Sequence, residues 1–101
     1  MSGASTTCPL SSALLALLPG AGVRSRKATG WHSATFAGER VTVLLGLEGE
    51  QRHERAAHFA QALPETEFSL RRQLVADIVV SEISDSEDAL LLTVEALLLD
   101  E

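Results

Sequence analysis

The stretch LVADIVVSEISDSEDALLLTVEALLL, residues 74–99, decides the fold. It predicts two long strands joined by an acidic turn at residues 84–88, because apolar runs rich in Val, Ile and Leu flank a cluster of Ser, Asp and Glu. A surface hairpin usually keeps one face polar, but the second strand here is apolar on both faces. We therefore predict a sheet buried on both sides, with a partner covering part of it.

Turn length sets the register of this hairpin, and a one-residue slip would move every side chain to the other face. With a five-residue loop, Ile83 pairs with Ala89 and Ile78 with Val94, which makes one face wholly apolar. The same register places Asp77 directly opposite Glu95 on the second face. Ala76 and Leu74 are then expected on the apolar face.

A second hairpin is predicted from the alternation in Trp31–Ala37 and Arg40–Leu47, with Gly38-Glu39 as a two-residue turn that has glycine first. In this register Phe36 joins the core, together with Val41, Val43 and Leu45 from the returning strand. Trp31, Arg40 and Leu44 are predicted on the opposite face.

Two helices are predicted from apolar residues at helical spacing. The helix over residues 51–63 has Ala56, Phe59 and Leu63 on one stripe, and Pro64 ends it. A shorter helix begins at Pro9 and carries a leucine stripe over residues 10–18. We expect residues 1–8 to be a disordered tail and residues 19–30 to be a basic linker.

The fold class predicted from these elements is α+β, with a four-stranded, mainly antiparallel sheet in a ββαββ arrangement over residues 31–101. One helix lies on the core face, and a short helix precedes the sheet. The 51–63 helix is too short to cover the sheet alone. Residues 10–18 are expected to complete that cover or to lie on the second face.

Composition restricts the classes of partner. The 101 residues suit a single domain, and the net charge of −6 disfavours nucleic acid, whose binding depends on neutralising phosphates. Charge is uneven: residues 1–47 carry four bases and one acid, whereas residues 71–101 carry two bases and eight acids. Cys8 is the single cysteine, which excludes an intrachain disulfide, and residues 10–18 are too few to cross a bilayer. We expect a cytoplasmic protein with no membrane association.

The second sheet face is the candidate functional surface. Its predicted members are Trp31, Leu44, Val75, Val79, Leu91, Leu97 and Leu99, with Arg40, Asp77 and Glu95 as polar groups. Apolar patches of this kind usually mark interfaces. Cover by residues 10–18 and cover by a second copy in a homodimer are the two alternatives.

Catalytic and metal sites have little support. Asp77 and Glu95 are a carboxylate pair suited to acid–base or cation chemistry, but no third ligand is placed near them. His53 and His58 are five residues apart, so they do not share a helix face, and His32 is expected to be structural. No serine has the context of a nucleophile. We predict no catalytic residue, no metal and no cofactor.

The segment Trp31-His-Ser-Ala-Thr-Phe-Ala-Gly-Glu-Arg40 has the form W-x-S-x-T-F-x-G-x-R, and Leu74–Ile78 reads L-V-A-D-I. Together they resemble short bacterial proteins of unknown function, over about residues 30–100. The resemblance implies no activity. It singles out Trp31, Phe36 and Gly38, and it also marks Arg40 and Asp77, for which we predict an ion pair across the second face.

Two functional hypotheses follow. The first is a non-catalytic module that self-associates, or binds a protein, through the second sheet face. The second is a small-molecule-binding protein or enzyme that uses Arg40, Asp77 and Glu95 on the same face. A cavity ringed by those three residues would favour the second hypothesis, and a flat, dry contact between copies would favour the first.

Overall fold

A computed structural model describes residues 9–101 as an α+β fold with two helices and a four-stranded antiparallel sheet. Residues 1–8, predicted to be a disordered tail, lie outside the described part. The elements in chain order are α1 (Pro9–Leu17), β1 (Ala21–His32), β2 (Ala37–Leu47), α2 (Arg52–Ala62), β3 (Gln73–Asp85) and β4 (Leu90–Asp100). A 3₁₀ turn at Leu63–Glu65 follows α2, and the sheet order is β1-β2-β4-β3.

Both helices pack on the same face of the sheet. Leu10 and Leu14 of α1, with Phe59 of α2, belong to one buried cluster with alternate residues of the two central strands. The buried side chains of those strands are Val41, Val43, Leu45, Leu47, Leu90, Leu92, Val94, Ala96 and Leu98. The sequence left open whether residues 10–18 cover the second face, and they do not, because their leucine stripe completes the core beside α2.

The predicted basic linker is wrong from residue 21 onward, because β1 runs from Ala21 to His32 and pairs with β2 along its length. It is an edge strand, and every residue from Gly22 to Gly30 is exposed. Edge strands commonly carry Lys and Arg, which discourage pairing with another sheet. The basic residues that suggested a linker therefore lie in an edge strand.

The predicted register of the first hairpin is also wrong. The chain turns at Ser33–Phe36, with His32 opposite Ala37, so Gly38 lies inside β2 and not in a turn. The Ser33 amide donates to the carbonyl of Phe36 at 2.7 Å, and the Ser33 hydroxyl accepts from the Phe36 amide at 3.2 Å. Phe36, expected in the core, is at the tip of the turn and 59% exposed.

Gly38 is needed where β2 approaches β4. A Cβ at this position would meet the carbonyl oxygen of Leu98 well inside van der Waals distance. The residue has no positive φ, so the requirement is for space and not for an unusual backbone conformation. The glycine that suggested a turn in the sequence is explained by the close approach of two central strands.

Two bulges in β3 change the register of the second hairpin. The pairing slips between Val75 and Asp77 and again between Val80 and Glu82, which leaves Ala76 and Ser81 without partners in the ladder. The strands extend to Asp85 and resume at Leu90, so the loop is shorter than predicted. Asp77 therefore pairs with Leu97, and the predicted opposition of Asp77 to Glu95 is wrong.

The first bulge also exchanges the faces of two side chains. Val75 pairs with Leu98 and packs against the core, although we predicted it on the second face. Leu74, predicted in the core, pairs with Leu99 and is 53% exposed. The alternation of apolar residues in this strand gave no sign of the inserted residue.

Candidate functional site

The sheet surface opposite the helices, which we call the outer face, is left uncovered by residues 9–101. Residues directly opposed in antiparallel strands share a face, so the ladder arranges the outer face in rows that cross all four strands. Two central rows run from β1 to β3: Thr29, Arg40, Leu97, Asp77, and then Lys27, Thr42, Glu95, Val79.

Apolar side chains flank these central rows. Toward one end, Trp31 lies opposite Gly38, and Leu99 and Leu74 continue the row. Toward the other end, Leu44 and Leu91 are half-buried. Val79 is 38% exposed and Leu74 is 53% exposed, so apolar side chains of this face are in contact with solvent. Exposed apolar surface that spans several strands is typical of an interaction site.

The central rows line a concavity of about 390 Å³. Its polar walls are the side chains of Lys27, Thr29, Arg40, Thr42, Asp77 and Glu95, and Val79 and Leu97 supply apolar lining. This volume lies within the range of small-molecule sites, which is roughly 300–1,000 Å³. The concavity is open to solvent, because a sheet alone forms it.

Charge divides the outer face along its length. The half built by β1 and β2, the basic half, carries Lys27 and Arg40, and the guanidinium of Arg24 lies over Gly46. The half built by β4 and β3, the acidic half, carries Glu95, Asp77 and Glu82. The sequence already placed bases early and acids late, and the strand order converts that asymmetry into two sides of one surface.

The predicted ion pair between Arg40 and Asp77 does not form. No ion pair within 4.0 Å joins the Arg40 guanidinium to the Asp77 carboxylate. The reason is the strand order, because β4 lies between the strands that carry the two residues. Two strand spacings separate their backbones, about 9.5 Å.

The structure nevertheless brings most of the predicted site residues together. The predicted residues that line the concavity are Arg40, Asp77, Val79, Glu95 and Leu97, whereas Val75 packs against the core on the other side of the sheet. Trp31, Leu44 and Leu91 lie outside the concavity on the outer face. Lys27 and Thr29 also line the concavity. They are absent from the predicted site, because the sequence of β1 has the composition of a linker.

Residues 9–101 contain neither a candidate metal centre nor a helix that could span a bilayer. No group of three His, Cys, Asp or Glu side chains in this range is arranged to hold a metal ion. His53 is close to Asp85, but both side chains are more than half exposed. Neither described helix has the length and apolar character needed to cross a membrane.

Comparison with known proteins adds no functional information: no protein-family model, curated protein or solved structure gives a significant match to the chain.

Proposed function

We propose that this protein is a non-catalytic self-associating module whose outer face packs against the outer face of a second copy. The observation that carries the proposal is the uncovered outer face, which combines exposed apolar side chains with a basic half and an acidic half. Removing each Leu or Val from water contributes about 1.5–3 kcal/mol when burial is complete. A second copy matches this face, because its own outer face carries apolar side chains, a basic half and an acidic half.

The size of the face is adequate for such a contact. Four strands about 4.8 Å apart, each with around ten residues rising about 3.3 Å, give a face of roughly 15–19 Å by 35 Å. This plan area approaches the contribution of one partner to a standard interface, which is about 800 Å² of accessible surface. The net charge of −6 disfavours nucleic acid as the occupant of the face.

The test is to place a charge in the middle of the proposed contact. Leu97→Asp should give a folded monomer, because a carboxylate at the centre of an apolar interface is desolvated without a partner. Light scattering coupled to size exclusion should report about 10.8 kDa for this variant and about twice that for the natural protein. Circular dichroism should be unchanged.

The matched control is Leu17→Asp, since Leu17 is 43% exposed on α1, away from the outer face. This variant should keep the mass of the natural protein. A Leu97→Asp protein that still dimerises would contradict the proposal. An unfolded Leu97→Asp protein would also count against it, because Leu97 would then be needed inside its own chain.

A second candidate function is the binding of a small polar molecule in the concavity. The observation that favours it is that Arg40, Asp77 and Glu95 all line a single hollow of suitable volume. Such a ligand would carry both an anionic and a cationic group, to match the two halves of the face. The two candidate functions predict different masses for the natural protein. Self-association predicts a dimer, whereas a ligand site of this kind requires no second copy.

A further inference from the structure

We propose that the two copies are related by a twofold axis parallel to the strands, so that the basic half of each lies over the acidic half of the other. This inference rests on the proposed self-association and specifies its geometry. It predicts which side chains meet and which charge reversals break the contact.

A twofold axis between two identical sheet faces lies in the plane between them, and two directions of that axis keep the strands of the two copies aligned, as packed sheets prefer. An axis parallel to the strands exchanges the two sides of the sheet, so β1 and β2 of one copy cover β3 and β4 of the other. An axis perpendicular to the strands leaves each side over itself. The second arrangement would place Lys27 and Arg40 against the same bases of the partner, and Asp77 against the same acid.

Charge therefore selects the axis parallel to the strands. Like charges in contact oppose association, whereas opposite charges steer association and fix the register. The separation of bases and acids is complete among the charged residues that line the concavity: Lys27 and Arg40 on one side, Asp77 and Glu95 on the other. A face with interspersed charges would not distinguish the two axes.

The proposed axis also fixes the contacts. Rotation about an axis parallel to the strands preserves height along them, so each row faces the same row of the partner. When the axis passes over the boundary between β2 and β4, Arg40 lies over the partner's Leu97 and beside the partner's Glu95. Lys27 lies near the partner's Asp77. Stacked sheets are about 10 Å apart, a gap that Arg and Glu side chains reach across together.

The test uses one charge reversal on each side of the proposed pair. Arg40→Glu alone places a carboxylate against the partner's Glu95, and Glu95→Arg alone places a guanidinium against the partner's Arg40. Each variant alone should self-associate at least tenfold more weakly than the natural protein. An equimolar mixture should recover a mass of about twice 10.8 kDa, because both contacts again join opposite charges. Native mass spectrometry should show that the recovered species is the mixed dimer.

Arg71→Glu and Glu67→Arg are matched controls, since both residues are exposed and lie outside the strands. They should leave self-association unchanged. A single variant that pairs with the natural protein more tightly than the natural protein pairs with itself would identify the perpendicular axis and overturn the inference, because only that axis sets position 40, or position 95, against the same side of the partner. Unchanged dimers in Arg40→Glu and Glu95→Arg, with a monomeric Leu97→Asp, would overturn the inference while leaving the proposed function in place. A monomeric natural protein would remove both proposals.

Discussion

Replacing Phe59 by alanine should lower the free energy of unfolding by about 3–5 kcal/mol. Phe59 is 5% exposed and lies in the buried cluster that joins α2 to the sheet. Truncation removes the transfer free energy of the ring and leaves a cavity that the neighbouring strands close only in part. The loss is a large fraction of the roughly 5–15 kcal/mol that keeps a typical domain folded.

Urea denaturation followed by circular dichroism measures this loss, and the chain contains a matched control. Phe36→Ala removes the same side chain from a position that is 59% exposed at the tip of the first hairpin. We expect a change within about 1 kcal/mol there, since little apolar area leaves a packed environment. Equal losses in the two variants would contradict the assignment of Phe59 to the core.

Gly38→Ala should lower the free energy of unfolding by about 2–4 kcal/mol, an unusually large effect for the addition of one methyl group. The added Cβ collides with the carbonyl oxygen of Leu98, which belongs to the backbone of β4 and has no rotamer to adopt. The central strands must move apart at this point. Their hydrogen bonds and the packing beneath them then weaken together.

Gly22→Ala is the control for that substitution. Gly22 also lies in a strand, but its Cβ would meet no atom within 4 Å. Alanine there also reduces the conformational freedom of the unfolded chain, so we expect no loss or a gain of up to about 1 kcal/mol. Similar destabilisation by both variants would mean that the loss of glycine, and not the contact with β4, is responsible.

The sequence predicted the elements whose side chains alternate strongly. In β2, Val41, Val43 and Leu45 mark a core face, and the same pattern holds along β4, where both faces were assigned correctly. The stripe of Ala56, Phe59 and Leu63 likewise predicted α2 and its orientation. These segments pack against one core, so burial imposes a regular period on their residues.

The edge strand β1 was not predictable in the same way. Its residues contact β2 on one side only and remain exposed, so burial imposes no apolar period on them. The bases that protect an edge strand from aggregation also resemble those of a linker. Because Lys27 and Thr29 lie in this strand, the basic half of the outer face was missed with it.

The position of the turn and the two bulges in β3 account for the errors in the second hairpin. Ala76 and Ser81 each add one residue to β3, and neither alanine nor serine predicts a bulge from the sequence. Asp77 lies opposite Leu97, two residues along β4 from the expected Glu95, because the turn is at residues 86–89 and the insertion at Ser81 lies between that turn and Asp77. The face assigned to Asp77 was right, but its neighbour across the strand was not. The pairing of the sheet therefore had to come from the structure.

The measurement that tests the central claim most directly is the mass of the natural protein by light scattering coupled to size exclusion, over a dilution series. Self-association through the outer face predicts about twice 10.8 kDa at high concentration and a fall toward 10.8 kDa on dilution. A mass of 10.8 kDa at every concentration would contradict the claim and would favour a small ligand as the occupant of the concavity.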